Sequence, residues 1–180
     1  GIALEPYPYY PEGALTVFLT ESAAKDPDIL LKIKDSLMKG ADVVITSGFL
    51  QAATPMGFQS MFANIRVTQR KAMVNRYAYS NDGGITFGGC EEAAKPVLIP
   101  QLEFQTNGTW ELIAGLGEDN NFPILTKTLY GKGRLYVLTI PEDYGDLYNY
   151  PRKILVPIRQ AFSGQSPVLL DAFSKVGFFM

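Results

Sequence analysis

Three clusters of polar residues in this chain carry side chains able to do chemistry. Thr20-Glu21-Ser22, Thr46-Ser47-Gly48, and Thr139 with Glu142-Asp143 each follow an apolar, β-branched run. Open α/β sheets bind ligands beyond the carboxyl ends of their strands, so the clusters converge on one rim if their strands are neighbours. Glu21, Glu142 and Asp143 would then supply a carboxylate pair for acid–base work, or acceptors for the hydroxyls of a sugar. The same residue types cap helices and turns. Capping and domain contact suit these segments better than catalysis, because all precede helices or turns and fold alone does not imply function.

A fourth stretch, Gly131-Lys132-Gly133-Arg134, raises the question of a phosphate loop. A Walker loop needs four residues between its glycines and Ser or Thr after the lysine, between a strand and a helix. Here one residue separates the glycines and a strand-like run comes next, so no helix N-terminus is present to hold a phosphate. The glycines fit a hairpin turn, with Lys132 at its tip.

Composition removes other chemistry. Histidine is absent, which excludes catalytic triads with a histidine base and zinc sites with imidazole ligands. The one cysteine, Cys90, forms no intramolecular disulfide, and its setting FGGCEEA reads as a loop or small buried residue rather than a nucleophile. GEDNN (117–121) and SNDGG (80–84) lack calcium-loop spacing and read as turns. No metal or cofactor is expected. Net charge is −2 and basic residues are unclustered, which argues against nucleic acid. No apolar run approaches the length of a membrane span. Tyr7, Tyr9, Tyr10 and the group Tyr144, Tyr148, Tyr150 fall in loops, where such rings stack on sugars or, the favoured reading, bury area where domains meet.

The elements that must position these residues emerge from periodicity. LTVFLT (15–20) and ADVVITS (41–47) read as buried strands. Between them Leu30, Ile33 and Leu37 recur at helical spacing, after Asp26 as N-cap with Pro27 at the first helical position, and before Gly40 as closing residue. This β-α-β unit calls for parallel strands. A second helix is predicted over 48–65, interrupted near Thr54-Pro55. Strand character returns over 65–80, and 80–96 reads as loop with one short strand. Further strands are predicted at 97–105 and 110–117 around a turn at Asn107-Gly108. FPILTKTLY and RLYVLTI form a hairpin joined at GKG. A helix is predicted over 151–163, its onset delayed or kinked by Pro157.

The segment NFPILTKTLYGKGRLYVLTIPED resembles the late hairpin of glutamine-amidotransferase-like domains, found as the trimerisation domain of bacterial β-galactosidases. The strand–helix junctions at TVFLT and DVVITSG fit the same scaffold, and the chain as a whole resembles uncharacterised secreted proteins of gut Bacteroidetes. The resemblance implies a three-layer, flavodoxin-like α/β domain with a mostly parallel sheet and one late antiparallel hairpin. Catalytic relatives use an elbow cysteine with a downstream histidine, and this chain has neither. The resemblance therefore implies a non-catalytic module of a larger secreted, periplasmic or cell-surface glycan-related protein, contacting other domains of the same polypeptide or a second subunit. The alternative is a carbohydrate-binding or glycoside-hydrolysing protein that uses the rim. Residues 1–14 are expected as an extended lead-in, 15–164 as the domain, and 165–180 as the start of a further β-rich module cut short.

Overall fold

Thr16–Leu19 (β1) and Asp42–Thr46 (β2) pair in parallel, Thr16 opposite Asp42 and Leu19 opposite Ile45. A parallel pair requires a crossover, supplied by helix α1, Ile29–Lys39. Its stripe Ile29, Leu30, Ile33 and Leu37 is buried, and Gly40, at φ 101°, closes it in the left-handed conformation as the sequence predicts. The helix begins later than expected. Asp28, not Asp26, stands at the N-cap position, while Asp26 accepts the Asp28 N–H at 2.9 Å and the Lys32 ammonium at 2.5 Å. The computed structural model describes residues 4–105, 107–117 and 120–164.

Helix α2, Ser47–Ala53, a 3-10 turn at Thr54–Met56, and α3, Phe58–Met61, realise the interrupted second helix. Five strands come next: β3 Ile65–Tyr79, β4 Gly89–Phe104, β5 Thr109–Leu116, β6 Asn121–Tyr130 and β7 Gly133–Leu138. The sequence pattern reads 80–96 as loop, but β4 begins at Gly89 and runs through it. Cys90 is therefore an exposed strand residue paired with Ala78, not a loop or buried one. Helix α4, Leu155–Ser163, starts after a 3-10 turn at Arg152–Ile154. Pro157 sits in its first turn, where a missing N–H breaks no helical bond.

The sheet order is β1-β2-β7-β6-β5-β3-β4. Among the described residues only β1-β2 and β2-β7 pair in parallel and every other pair is antiparallel, so the expected mostly parallel sheet is corrected to a mixed one. The reason is the kind of connection. Among the described residues no helix lies between α3 and β7 to make a crossover, and the pairs β3-β4, β5-β6 and β6-β7 are joined by loops alone, which suits antiparallel pairing. The late hairpin β6-β7 is as predicted, with Tyr130 opposite Gly133.

Helices cover both faces. Val43, Ile45, Leu135 and Val137 pack against α1 and α2, whereas Val44, Tyr136 and Leu138 pack against Ile158 and Ala161 of α4. Strand alternation divides the two sets. The lead-in lies against the domain: Tyr10 and Ala14 touch the first cluster, and the Tyr10 hydroxyl donates to Ser36 Oγ at 2.9 Å. The module expected at 165–180 lies outside the described residues.

Candidate functional site

The parallel trio β1, β2 and β7 places the carboxyl ends of its strands side by side. With Leu19 opposite Ile45 and Thr46 opposite Leu138, the segments beginning at Thr20, Thr46 and Thr139 emerge on one rim. Thr20 and Ser22 are exposed and share a hydroxyl hydrogen bond of 3.1 Å. Glu21 is exposed and stands beside Gly48, where an added Cβ would lie 3.5 Å from the Glu21 carboxylate. Thr46 is buried and caps α2, accepting the Phe49 N–H at 3.1 Å. Ser47 is also buried and accepts the Ile140 N–H at 3.1 Å, tying β7's exit to α2. Thr139, fully enclosed, donates to the Pro123 carbonyl at 2.7 Å.

The acidic members go elsewhere. Glu142 accepts from Lys71 of β3 at 2.7 Å, and its N–H donates to the Leu98 carbonyl of β4 at 3.0 Å. Asp143 caps the 3-10 turn Tyr144–Asn149, accepting the Gly145 N–H at 2.7 Å. The carboxylate pairing considered for Glu21, Glu142 and Asp143 is thus replaced by one exposed Glu21, one ion pair and one cap. Of the tyrosines, Tyr144 and Tyr148 are 74% and 94% exposed, while Tyr150 is buried, its ring centroid 5.3 Å from that of Tyr77. Tyr150 therefore serves the core and presents no face to a sugar or partner. Burial pushes its hydroxyl pKa upward.

The glycine-lysine-glycine stretch is a turn. Gly131 has φ 60°, and an added Cβ at Gly133 would stand 2.1 Å from the Ala41 carbonyl oxygen, so the hairpin's close approach to the α1–β2 junction requires the second glycine. Arg134 then reaches β2, its Nε and an Nη donating to the two Asp42 carboxylate oxygens at 2.8 and 2.7 Å. Asp42 is wholly buried, and this bidentate pair holds the guanidinium pKa up.

Glu111 of β5 is a desolvated carboxylate that the sequence reading does not single out. It pairs in register with Thr126 of β6, which stands opposite Val137 on the α1 side. Among the described residues neither Glu111 Oε1 nor Thr126 Oγ1 has a hydrogen-bond partner, although both atoms are enclosed. Desolvation raises the Glu111 carboxyl to about 7. The signal for both Asp42 and Glu111 is present in sequence, since each is a carboxylate inside an apolar strand run, in DVVIT and WELIAGL. Among the described residues no group of three or more His, Cys, Asp or Glu side chains could hold a metal ion, and no helix is long and apolar enough to cross a membrane.

Residues 1–143 match the family described as "Uncharacterized protein SSO3021, second domain". No curated protein matches the chain. Among solved structures, cytoplasmic protein STM3548 from Salmonella typhimurium is similar at 10% identity and a TM-score of 0.58, over 86% of this chain and 75% of that one. Cytoplasmic protein STM1381 from Salmonella typhimurium LT2 is similar at 11% and 0.56, over 82% and 71%. A β-galactosidase from Bacillus circulans sp. alkalophilus is similar at 16% and 0.50, over 85% of this chain and 22% of the enzyme. At these identities the likeness is one of fold, and it includes the enzyme class that the hairpin resembles. The secreted, periplasmic or cell-surface location implied by the resemblance is overturned, because two proteins that share the fold are described as cytoplasmic.

Proposed function

This chain belongs to the SSO3021 second-domain family, and from that premise we propose that it is a non-catalytic α/β module of a larger glycan-related protein, contacting a second subunit or a neighbouring domain. The observation that carries the reading is the turn Tyr144–Asn149. Tyr144 and Tyr148 hold their rings in water, 74% and 94% exposed, yet the turn beneath them is fixed. Asp143 caps it, Asp146 accepts from Asn149 at 2.8 Å, and buried Tyr150 anchors its end. Tyrosine has few side-chain torsions to lose on docking and buries much area, so two exposed rings on a fixed turn suit an interface anchor.

Two comparisons support the setting. The family is described as a second domain, which fits a module of a longer protein. The fold also occurs within a β-galactosidase chain, which fits a place beside carbohydrate-active domains. The flavodoxin-like, glutamine-amidotransferase-like outline belongs to this proposal and rests on β1-α1-β2 with β7 returning beside β2.

A second reading, carbohydrate binding at the rim, has Glu21 in its favour, since it alone of the three rim carboxylates has no hydrogen bond or ion pair among the described residues. One carboxylate can accept from a sugar hydroxyl, but glycoside hydrolysis ordinarily needs two. Glycan-array binding separates the readings. Binding lost in Glu21→Gln and kept in Tyr144→Ser/Tyr148→Ser would favour the rim, while no glycan binding together with tyrosine-dependent self-association supports the contact module.

A further inference from the structure

On the α4 face of the sheet, away from the rim, a groove of about 350 Å³ opens between the end of α4 and the loop 80–88. Its floor is Lys127 of β6 with Arg134 and Tyr136 of β7, and Lys127 stands directly opposite Tyr136. Asn81 and Gly83 form one wall, Gln160 and Ser163 the other. The volume falls at the small end of the range for ligand sites.

The loop wall is already built. Ser80 Oγ accepts the Gly84 N–H at 2.7 Å and donates to Asp82 Oδ1 at 2.7 Å. Asp82 also accepts from the N–H groups of Ile85 and Thr86 and from the Thr86 hydroxyl. These bonds hold the Asp82 carboxyl well below its ordinary range and occupy its oxygens.

The floor carries a cation with no ion-pair partner among the described residues; Asp82, its oxygens already engaged in the loop, acts on it only from beyond ion-pair distance. Lys127 donates to the neutral Gly83 carbonyl at 2.5 Å, with its ammonium 5.3 Å from the Trp110 ring centroid. Burial, then the nearby charge of Arg134, lowers its pKa, so an anion there would relieve both. Arg134 lines the groove and spends two of its five N–H donors on Asp42, which fixes the plane of the guanidinium; among the described residues no other acceptor is bonded to it.

We propose that this groove binds a small ligand bearing a carboxylate or phosphate group, set between Lys127 and Arg134. Asn81, Gln160 and Ser163 would receive the ligand's remaining polar atoms. The site is independent of the tyrosine contact surface.

The test is a titration of the full chain, at constant ionic strength to hold screening fixed, with inorganic phosphate and separately with malonate. Amide resonances are followed by NMR. Saturable shifts confined to Gly83, Lys127, Arg134 and Ser163 are expected with at least one probe. Phosphate alone would mark a phosphate ligand, malonate alone a carboxylate. Lys127→Met, which keeps a side chain on Trp110, should weaken binding at least ~tenfold, and Lys127→Arg should retain it. The absence of saturable shifts with either probe, or equal affinity in Lys127→Met, would overturn the proposal.

Discussion

A Cβ at position 133 would press on the Ala41 carbonyl at 2.1 Å and on the Leu37 carbonyl at 2.9 Å, both backbone atoms that cannot swing aside. Gly133→Ala should therefore cost about 3 kcal/mol, the upper end of ordinary overpacking. Gly13, with φ 79° and open space around it, is the control. Its alanine variant carries only the left-handed backbone cost of about 1 kcal/mol. Urea midpoints of the two variants measure the difference. The turn is legible in sequence, because glycine spacing and the strand after it are local signals. The close approach is not, because it joins residues far apart in the chain. Glu111 gives a pH prediction. Its folded-state pKa of about 7 lies above the ordinary 4.5, so the folded form holds the proton more tightly. Its contribution is most favourable below pH 4.5 and is lost as pH rises through 7. Between pH 5 and pH 8, Glu111→Gln should gain about 2 kcal/mol relative to the native chain. Parallel urea melts that show no such divergence would contradict it.

At the scale of elements, the β1-α1-β2 unit is legible throughout, since two apolar runs flank a helical stripe closed by Gly40. The boundary differences come from polar side chains choosing among nearby N–H groups, as Asp26 does. The first half of β4 is hidden for a different reason: Pro96 and the charged Glu91, Glu92 and Lys95 read as loop, but an edge strand tolerates them. The rim arises from the same topology. Placing three strand ends together needs β7 to return beside β2, and hydrophobic pattern does not specify strand order. Once there, the hydroxyls serve structure. Thr46→Ala removes the acceptor for Phe49 N–H and should cost about 1 kcal/mol, while leaving any ligand binding at Glu21 unchanged. Chemical denaturation beside a glycan-binding assay reads both effects.

For the whole molecule, the features that sequence does not supply are those set by exposure. Tyr144, Tyr148 and Tyr150 are alike in sequence setting, yet two stand in water and one packs on Tyr77. That division puts the third in the core and leaves the first two exposed, as the proposed contact requires. The exposed pair is proposed to meet a second subunit or a neighbouring domain, and contact with a second copy is the form that can be read on this chain alone. Sedimentation velocity across a wide concentration range, on the native chain and on Tyr144→Ser/Tyr148→Ser, tests this most directly. The predicted result is a sedimentation coefficient that rises with concentration in the native chain and stays at the monomer value in the variant. A single monomeric boundary at every concentration in both proteins would contradict it.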